Sequence, residues 1–170
     1  MITYLVGDAT NPEQKGTVIL VHVCNDIGAF GAGIAKTIDT EFPEVGEAYR
    51  DWKQKPGNLP FQLGEVQLVQ TYANEFPDTF LSDLYVANMI AQKGIRQSGK
   101  DFDVHAEPPI RYEAVEKCLN TVAVIAKSIG ACVVGPRFGA GLAGGEWSKI
   151  EAIINKTMGD IPVFIYDLPK

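Results

Sequence analysis

Short apolar runs that are continuous rather than alternating constrain the fold of this chain most. The clearest is TVILVHV, residues 17–23, and comparable runs recur along the chain. A strand that is apolar on both faces has to be covered on both faces, as the central strands of α/β proteins are. The runs predict strands at residues 2–6, 17–23, 65–72, 84–90, 131–135 and 162–166.

Between these runs, apolar residues recur every three or four positions, which is the period of an amphipathic helix. One such pattern extends from Ile110 to Ile129, with prolines before it and Gly130 after it, as helix start and stop signals require. Further helices are predicted from Gly33 to before Pro43, over residues 44–53, and from Trp147 to Met158. Alternating strands and helices predict one three-layer α/β domain over residues 1–170.

Residues 91–107, AQKGIRQSGKDFDVHAE, follow neither the helical nor the strand period. An irregular loop of this length inside a compact domain is usually functional or mobile. We therefore expect this segment to take part in function or to move.

Composition and charge exclude several classes of protein. The chain is 46% apolar and 21% charged, which indicates a globular protein, and its apolar runs are too short to cross a membrane. A net charge of −6 argues against a broad nucleic-acid surface. Three cysteines without a close pair and two histidines without zinc-like spacing predict reduced thiols and no metal centre, although carboxylate ligands stay open. Since the N-terminus has no signal-peptide pattern, we expect a cytoplasmic protein, and a monomer that needs no cofactor.

Two glycine-rich segments each join the end of a predicted strand to the start of a predicted helix. The first, GAFGAG, covers residues 28–33, and the second, PRFGAGLAGGEW, covers residues 136–147. Ligands of open α/β sheets bind at this edge of the sheet, and glycine lets the backbone approach them closely. Backbone amides in such loops can hold phosphate, so two loops predict a ligand with more than one phosphate. The alternative is that both segments are only tight turns.

The second segment contains GAGLAG, residues 139–144, which matches the dinucleotide-binding pattern G-x-G-x-x-G, with Asp167 as a candidate ribose ligand. A nicotinamide-dinucleotide enzyme is therefore an alternative. That motif belongs to the first strand–helix turn of a fold with two nucleotide-binding halves, whereas only one predicted strand follows it here. A P-loop is excluded because neither segment ends in GK[ST].

These segments together resemble the macro domain family. The resemblance is carried, in this order and over nearly the whole chain, by VGDAT, HVCNDIGAFGAGIA, YVANMIAQKGI, PRFGAGLAGGEW and VFIYDL. It implies an α/β/α domain with a six-stranded mixed sheet and a cleft that binds ADP-ribose. Within the family, the chain is most similar to the branch of ADP-ribose 1''-phosphate processing phosphatases and terminal ADP-ribose protein glycohydrolases.

The resemblance also implies which residues contact the ligand. Asp8 falls on the aspartate that binds the adenine amino group, and Tyr166 is placed to pack on adenine. The first glycine segment falls beside the distal ribose and the diphosphate, and the second wraps the diphosphate. The implied ligand-binding residues are Asp8, Ala9, Thr10, Gly28, Ala29, Phe30, Gly31, Ala32, Gly33, Pro136, Arg137, Phe138, Gly139, Ala140, Gly141, Leu142 and Tyr166.

The candidate catalytic residues are His22, Asn25 and Asp26, which directly precede the first glycine segment. His22 is a candidate for proton transfer, because histidine titrates near neutrality; the alternative is a hydrogen-bonded core histidine. Asn25 is interpreted as orienting a ribose hydroxyl or forming a turn. Asp26 either activates water or is a solvated loop acid. Cys24 is expected to be a small buried residue rather than a nucleophile.

Three further side chains have two interpretations each. Arg137 is the only cation in either glycine segment, and its fork geometry suits phosphate; the alternative is a surface ion pair. Phe30 and Phe138 either wall a ribose pocket or only pack in the core.

The chain departs from the glycohydrolase pattern at two positions. Gln92 stands where a catalytic lysine is expected, and Ala143 where a catalytic aspartate is expected. The phosphatase-like branch fits better, because its H-x-C-N segment is present at residues 22–25. We therefore expect hydrolysis of ADP-ribose 1''-phosphate to ADP-ribose and phosphate. The alternatives are an ADP-ribosyl glycohydrolase acting on modified protein or nucleic acid, and an ADP-ribose reader without turnover.

Overall fold

The computed structural model describes residues 1–71, 83–95 and 107–170. Within these residues, strands and helices alternate for most of the chain. The strands are β1 (Ile2–Val6), β2 (Thr17–Asn25), β3 (Val66–Gln70), β4 (Asp83–Gln92), β5 (Cys132–Gly135) and β6 (Val163–Asp167). The helices are α1 (Ile34–Glu41), α2 (Pro43–Gln54), α3 (Tyr112–Ile129) and α4 (Trp147–Met158).

The strands form one mixed sheet in the order β1-β6-β5-β2-β4-β3. Only β3 runs antiparallel to its neighbour among the described strands. The strands β2 and β5 are neighbours and parallel, so their carboxyl ends meet at the same edge of the sheet. This neighbourhood brings together the two glycine-rich loops that follow them.

Side chains on the two faces of the sheet belong to two separate cores. Ile19 and Val21 of β2 pack with residues of α3 and α4, whereas Val18 and Leu20 pack with residues of α1 and α2. Each strand side chain points to the face opposite to its neighbour's, so a central strand covered by helices on both faces has to be apolar throughout. The predicted three-layer α/β/α fold with a six-stranded mixed sheet is confirmed. None of the helices among the described residues combines the length and apolarity that a membrane crossing requires.

The structure corrects the predicted boundaries around the irregular segment 91–107. Ala91 and Gln92 still belong to β4, and β2 extends to Asn25. Cys24 pairs with Ile90 but Asn25 pairs with Gln92, so Ala91 is an extra residue in β4, a β-bulge. Residues 96–106, including most of the predicted loop, and Tyr72, the last residue of a predicted strand, lie outside the described residues.

Candidate functional site

A cleft of about 870 Å³ lies between the two glycine loops. Loop 1 (residues 26–33) follows β2, and loop 2 (residues 136–146) follows β5. The volume falls in the range of small-molecule sites, roughly 300–1,000 Å³. The residues that line the cleft are Val23, Cys24, Asn25, Ala29, Phe30, Gly31, Ala32, Gly33, Ile34, Ala35, Gln92, Ile95, Pro136, Arg137, Phe138, Gly139, Gly141, Leu142 and Ala143.

Most residues predicted from the two glycine segments line this cleft, and some do not. Gly28 and Ala140 belong to the loops but not to the walls. The predicted residues outside the walls are Asp8, Ala9, Thr10, His22, Asp26 and Tyr166. Gln92 and Ile95 also line the cleft. Both belong to the irregular segment 91–107, which the sequence predicted to be functional or mobile, although neither was named as a binding residue. They reach the cleft because the end of β4 lies beside the end of β2.

Loop 1 is folded around the side chain of Asn25, which is only 7% exposed. Its Oδ1 accepts hydrogen bonds from the amides of Ile27 at 3.1 Å and Ala29 at 3.0 Å. The Tyr49 hydroxyl donates to the backbone carbonyl of Asn25 at 2.5 Å and lies 3.1 Å from Oδ1. Its Nδ2 donates to the carbonyl of Ala29 at 2.7 Å. Asn25 therefore forms the turn, as one of its two interpretations predicted, while it also lines the cleft.

The far end of loop 1 presents backbone donors to the cleft. The amides of Gly31, Ala32 and Gly33 donate no hydrogen bond to any described residue, and all three residues line the cleft. Gly33 directly precedes α1 and has φ 60° and ψ −139°, a combination that is essentially restricted to glycine. Unpaired amides next to a helix N-terminus form a site that favours an anion.

Loop 2 is folded by its own backbone. The amide of Gly145 donates to the carbonyl of Gly139 at 2.7 Å, and the amide of Gly144 donates to the carbonyl of Gly141 at 3.0 Å. A Cβ atom at Gly145 would lie 2.4 Å from the carbonyl oxygen of Gly139, so this turn requires glycine. The amides of Gly139, Gly141 and Leu142 have no acceptor among the described residues, so loop 2 adds a second set of donors opposite loop 1.

His22 is fully buried and does not reach the cleft. Its Nε2 lies 2.6 Å from Oδ1 of Asn88, and Asn88 in turn donates to Gln67 at 3.0 Å. Nε2 is therefore the protonated ring nitrogen, because the amide oxygen can only accept. Burial lowers the pKa of His22 from 6.5 to about 4, although the hydrogen bond to Asn88 raises it. This geometry favours the alternative to proton transfer, a hydrogen-bonded core histidine, here with a side-chain partner.

Asp26 holds the chain that follows β4. Its Oδ1 accepts the amide of Gly94 at 2.7 Å, and its own amide donates to the carbonyl of Gln92 at 3.0 Å. Because the carboxylate faces this backbone and does not line the cleft, Asp26 supports the wall that Gln92 and Ile95 form. This role differs from both predicted ones, water activation and a solvated loop acid.

Cys24 lines the cleft but is not prepared for nucleophilic attack. It is 4% exposed, and burial raises the pKa of its thiol well above the ordinary value. The thiolate is the nucleophilic form of cysteine. Cys24 is therefore a small wall residue, in agreement with the interpretation of the sequence.

The charge of Arg137 is paired rather than free. Its guanidinium donates to both carboxylate oxygens of Asp167, from Nε at 2.7 Å and from Nη2 at 3.1 Å. The hydrogen bond from Arg137 lowers the pKa of Asp167. Asp167 was the candidate ribose ligand of the dinucleotide alternative, and its pairing with Arg137 gives it a different role. The surface ion pair, the second interpretation of Arg137, is the observed one.

The residues predicted to contact adenine lie at the ends of β1 and β6. The exposed Asp8 accepts hydrogen bonds from the amide and hydroxyl of Thr10 at 2.9 and 2.7 Å, both through Oδ1. Tyr166 is 4% exposed, and its hydroxyl donates to Gln14 at 2.8 Å. Its ring lies against Gly7, because a Cβ atom there would be 3.2 Å from the ring.

The described walls of the cleft carry almost no charge. No aspartate, glutamate, histidine or lysine is among them, and Arg137 is the single charged side chain. No group of three or more histidine, cysteine, aspartate or glutamate residues in the described part of the chain could hold a metal ion. The available chemistry is therefore that of backbone amides, two carboxamides, one ion-paired guanidinium, the thiol of Cys24 and apolar contacts.

Solved structures define the family of this fold. The chain is 38% identical to a macrodomain protein from Streptomyces coelicolor, over 98% of this chain and 99% of that one, with a TM-score of 0.77. The chain therefore belongs to the macrodomain family. A protein of unknown function from Bacteroides thetaiotaomicron is 40% identical over 99% of this chain and 98% of that one, with a TM-score of 0.83.

Curated relatives are more distant. An ADP-ribose 1''-phosphate phosphatase from Scheffersomyces stipitis is 24% identical over 97% of this chain and 99% of its own length, and further relatives carry the same name. No family model matches the sequence.

Proposed function

We propose that the cleft binds ADP-ribose. The observation that carries the proposal is the arrangement of unpaired amides on both sides of it. They belong to Gly31, Ala32 and Gly33 in loop 1 and to Gly139, Gly141 and Leu142 in loop 2. Amide groups of glycine-rich loops hold phosphate through hydrogen bonds and dipoles. Two facing sets of donors suit two linked phosphates better than one.

In this proposal, the two ends of the ligand meet different residues. Asp8 has a second carboxylate oxygen, Oδ2, without a hydrogen bond from the described residues, and it accepts the adenine amino group. Gln92 faces the distal ribose from the opposite end. Its Nε2 donates to the carbonyl of Gly94 at 2.9 Å, and Oε1 accepts a ribose hydroxyl.

We propose further that the protein hydrolyses ADP-ribose 1''-phosphate, as the names of its curated relatives suggest. Water attacks phosphorus, the bond from phosphorus to the C1'' oxygen breaks, and that oxygen takes a proton. ADP-ribose and inorganic phosphate are the products. Because the described walls offer no acid or base, the contribution of these walls is to orient the ester and to stabilise charge through amides.

The described walls, which carry no acidic or basic group except the ion-paired Arg137, also favour a second function, binding of ADP-ribose without turnover. A glycohydrolase has less support, since Gln92 and Ala143 replace the lysine and aspartate that its pattern expects. Ala143 is 4% exposed and lines the cleft, so no carboxylate is available at that position.

Calorimetry tests binding. ADP-ribose should bind more tightly than AMP or NAD, because only ADP-ribose contacts both loops and also fits the distal-ribose end of the cleft. Asp8→Asn keeps the Oδ1 that Thr10 uses but replaces the other oxygen by a donor. The variant should weaken the binding of ADP-ribose by roughly 1.5–3 kcal/mol, the scale of a hydrogen bond to a charged group. The Tm of the free protein should not change. Tighter binding of NAD than of ADP-ribose would contradict the proposal.

Turnover is tested by phosphate release from ADP-ribose 1''-phosphate in heavy-oxygen water. Cleavage at phosphorus places the heavy oxygen in the phosphate, where phosphorus NMR detects it. Cleavage at carbon leaves the phosphate unlabelled and indicates glycohydrolase chemistry. If ADP-ribose binds but no phosphate appears, the protein is a reader.

We also propose that the protein acts as a monomer in a reducing compartment such as the cytoplasm. The support for the compartment is that Cys24, Cys118 and Cys132 are all free thiols, as in most cytosolic proteins. Light scattering and fractionation of the source cells test the two statements.

A further inference from the structure

The ion pair between Arg137 and Asp167 lies at the edge of the cleft. Both side chains are partly exposed, by 43% and 40%, yet their geometry is the bidentate one of two parallel N–H···O bonds. Bidentate pairs are the geometrically specific form of the arginine–carboxylate interaction. Arg137 lines the cleft and Asp167 does not, so a residue outside the walls determines the charge that the walls present.

Aromatic side chains fix the guanidinium from other directions. Its central carbon lies 4.9 Å from the ring centroid of Tyr4 and 5.5 Å from that of Trp147. The rings are themselves held, because the indole of Trp147 donates to the Tyr4 hydroxyl at 2.9 Å and that hydroxyl donates to Glu151. Arg137 thereby connects the start of loop 2 to β1, β6 and α4.

The backbone of Arg137 is part of the fold of loop 2. Its carbonyl accepts the amide of Ala140 at 3.2 Å, next to the residues that present the unpaired amides. A displaced Arg137 would therefore move the donors that face the cleft. In contrast, its side-chain donors Nε and Nη2 are already engaged with Asp167.

We propose that Asp167 is a positioning and specificity residue of the cleft. It holds Arg137 as a support for loop 2 and cancels its charge, so that the diphosphate is recognised by backbone amides rather than by a cation. The inference rests on the proposed binding of ADP-ribose. It replaces the first sequence interpretation of Arg137, in which the guanidinium fork binds phosphate.

Salt dependence separates the two roles of Arg137, because ion pairs at a surface are screened by salt and amide contacts much less. The dissociation constant of ADP-ribose is measured against sodium chloride for the wild type, Asp167→Asn, Arg137→Gln and the double variant. Asp167→Asn keeps an oxygen that can accept the hydrogen bond from Nε of Arg137 but leaves the guanidinium charge uncompensated. The variant should therefore bind ADP-ribose about fivefold tighter at low salt, the size of one charge pair in water, with a steeper salt dependence. Arg137→Gln releases a carboxylate and should weaken binding by a similar factor.

The double variant decides between the roles. If Asp167 acts through charge, adding Asp167→Asn to Arg137→Gln removes the unpaired carboxylate and recovers about fivefold of the affinity. If Arg137 contacts phosphate itself, the double variant binds no better than Arg137→Gln, and the wild type depends steeply on salt. Absence of recovery in the double variant, or a steep salt dependence of the wild type, overturns the proposal.

Amide hydrogen exchange of the free protein tests the support of loop 2 without a ligand. Asp167→Ala should speed exchange at Ala140, Gly144 and Gly145, and leave Ile27 and Ala29 of loop 1 unchanged. Unchanged exchange in loop 2 would refute the positioning role. A wild type that fails to bind ADP-ribose would refute the proposed function instead, and the exchange result would still stand.

Discussion

Loops 1 and 2 flank the same cleft but are held in opposite ways. Loop 1 is organised from inside by the buried side chain of Asn25, which the hydroxyl of Tyr49 from α2 also contacts. Loop 2 is organised by its own backbone and is fastened from outside by the exposed pair of Arg137 and Asp167. Both loops present free amides to the cleft. A buried polar side chain holds loop 1 in place, whereas a surface ion pair holds loop 2.

The difference has an energetic consequence. A buried amide that loses its partner costs much more than an exposed ion pair that opens. Substitutions that loosen loop 1 should therefore reduce the stability of the protein, whereas substitutions that loosen loop 2 should change ligand binding with little effect on stability.

The largest effect is expected for Asn25→Ala. The substitution leaves the amides of Ile27 and Ala29 and the carbonyl of Ala29 without partners, so the free energy of unfolding should fall by about 3–5 kcal/mol. Urea unfolding measures it. Asn25→Asp is the comparison variant: it keeps the acceptor for Ile27 and Ala29 but places a carboxylate oxygen against the Ala29 carbonyl, so it should also lower the free energy of unfolding. If Asn25→Ala lowers the free energy of unfolding by less than about 1 kcal/mol, the two loops do not differ in their contribution to stability.

His22 tests whether the strand that leads into loop 1 is a rigid core element. The unfolded chain takes up a proton at His22 near pH 6.5, whereas the folded chain resists it until about pH 4. Stability should therefore fall as the pH falls through this window, by about 3 kcal/mol at about 1.4 kcal/mol per unit of pKa difference.

The His22→Gln variant isolates this contribution. Between pH 6.5 and pH 4, the free energy of unfolding should fall by about 3 kcal/mol less in the variant than in the wild type. The carboxylates titrate in both proteins, so their contribution cancels in this comparison. The variant should retain ADP-ribose binding, and phosphate release if the wild type shows it. Equal pH profiles would contradict the lowered pKa of His22. A folded variant that binds ADP-ribose but has lost a turnover that the wild type shows would restore the catalytic hypothesis for His22.

Gly33→Ala tests the point where the loops approach each other. A Cβ atom at Gly33 would lie 3.3 Å from Cδ1 of Leu142, and the backbone conformation there costs a non-glycine residue about 1–3 kcal/mol. We expect ADP-ribose affinity to fall by about tenfold, which calorimetry measures. Adding Leu142→Ala should recover part of the loss; no recovery would mean that backbone strain alone is responsible.

The smallest effect is expected for Arg137→Gln on stability. An exposed ion pair contributes about 0.2–1 kcal/mol even with good geometry, so the unfolding free energy should change by no more than about 1 kcal/mol. Chemical unfolding beside that of Asn25→Ala compares the two loops directly. A loss as large as that of Asn25→Ala would show that loop 2 is as much a part of the core as loop 1.

Much of this fold follows from local patterns. The continuous run of β2 and the helical period of residues 110–129 predict elements because burial on both faces or on one stripe leaves a periodic trace. The glycine segments likewise predicted most of the cleft. The neighbourhood of β2 and β5 could not be predicted from the residues alone, because sheet order depends on pairings between segments far apart in the chain.

Three predicted site residues, His22, Asp26 and Arg137, have partners in the structure that the sequence did not indicate. His22 lies in a run that is covered on both faces, and this coverage alone would have favoured burial over catalysis. The partners of Arg137 and Asp26 are 30 and 68 positions away in the sequence, and no local signal connects them. Residue type suggested phosphate binding and catalysis, whereas long-range hydrogen bonds determined the observed roles.

The bulge at Ala91 has a consequence for how such chains can diverge. Because Ala91 is the extra residue of β4, Asn25 pairs with Gln92 instead of with its predecessor. Deleting Ala91 would remove the extra residue, so Asn25 would still pair with Gln92 but without the local bend and added twist of a bulge. The same carboxamide would then be aimed differently at the wall of the cleft. The length of β4, as well as the identity of its residues, therefore determines what this wall presents to a ligand.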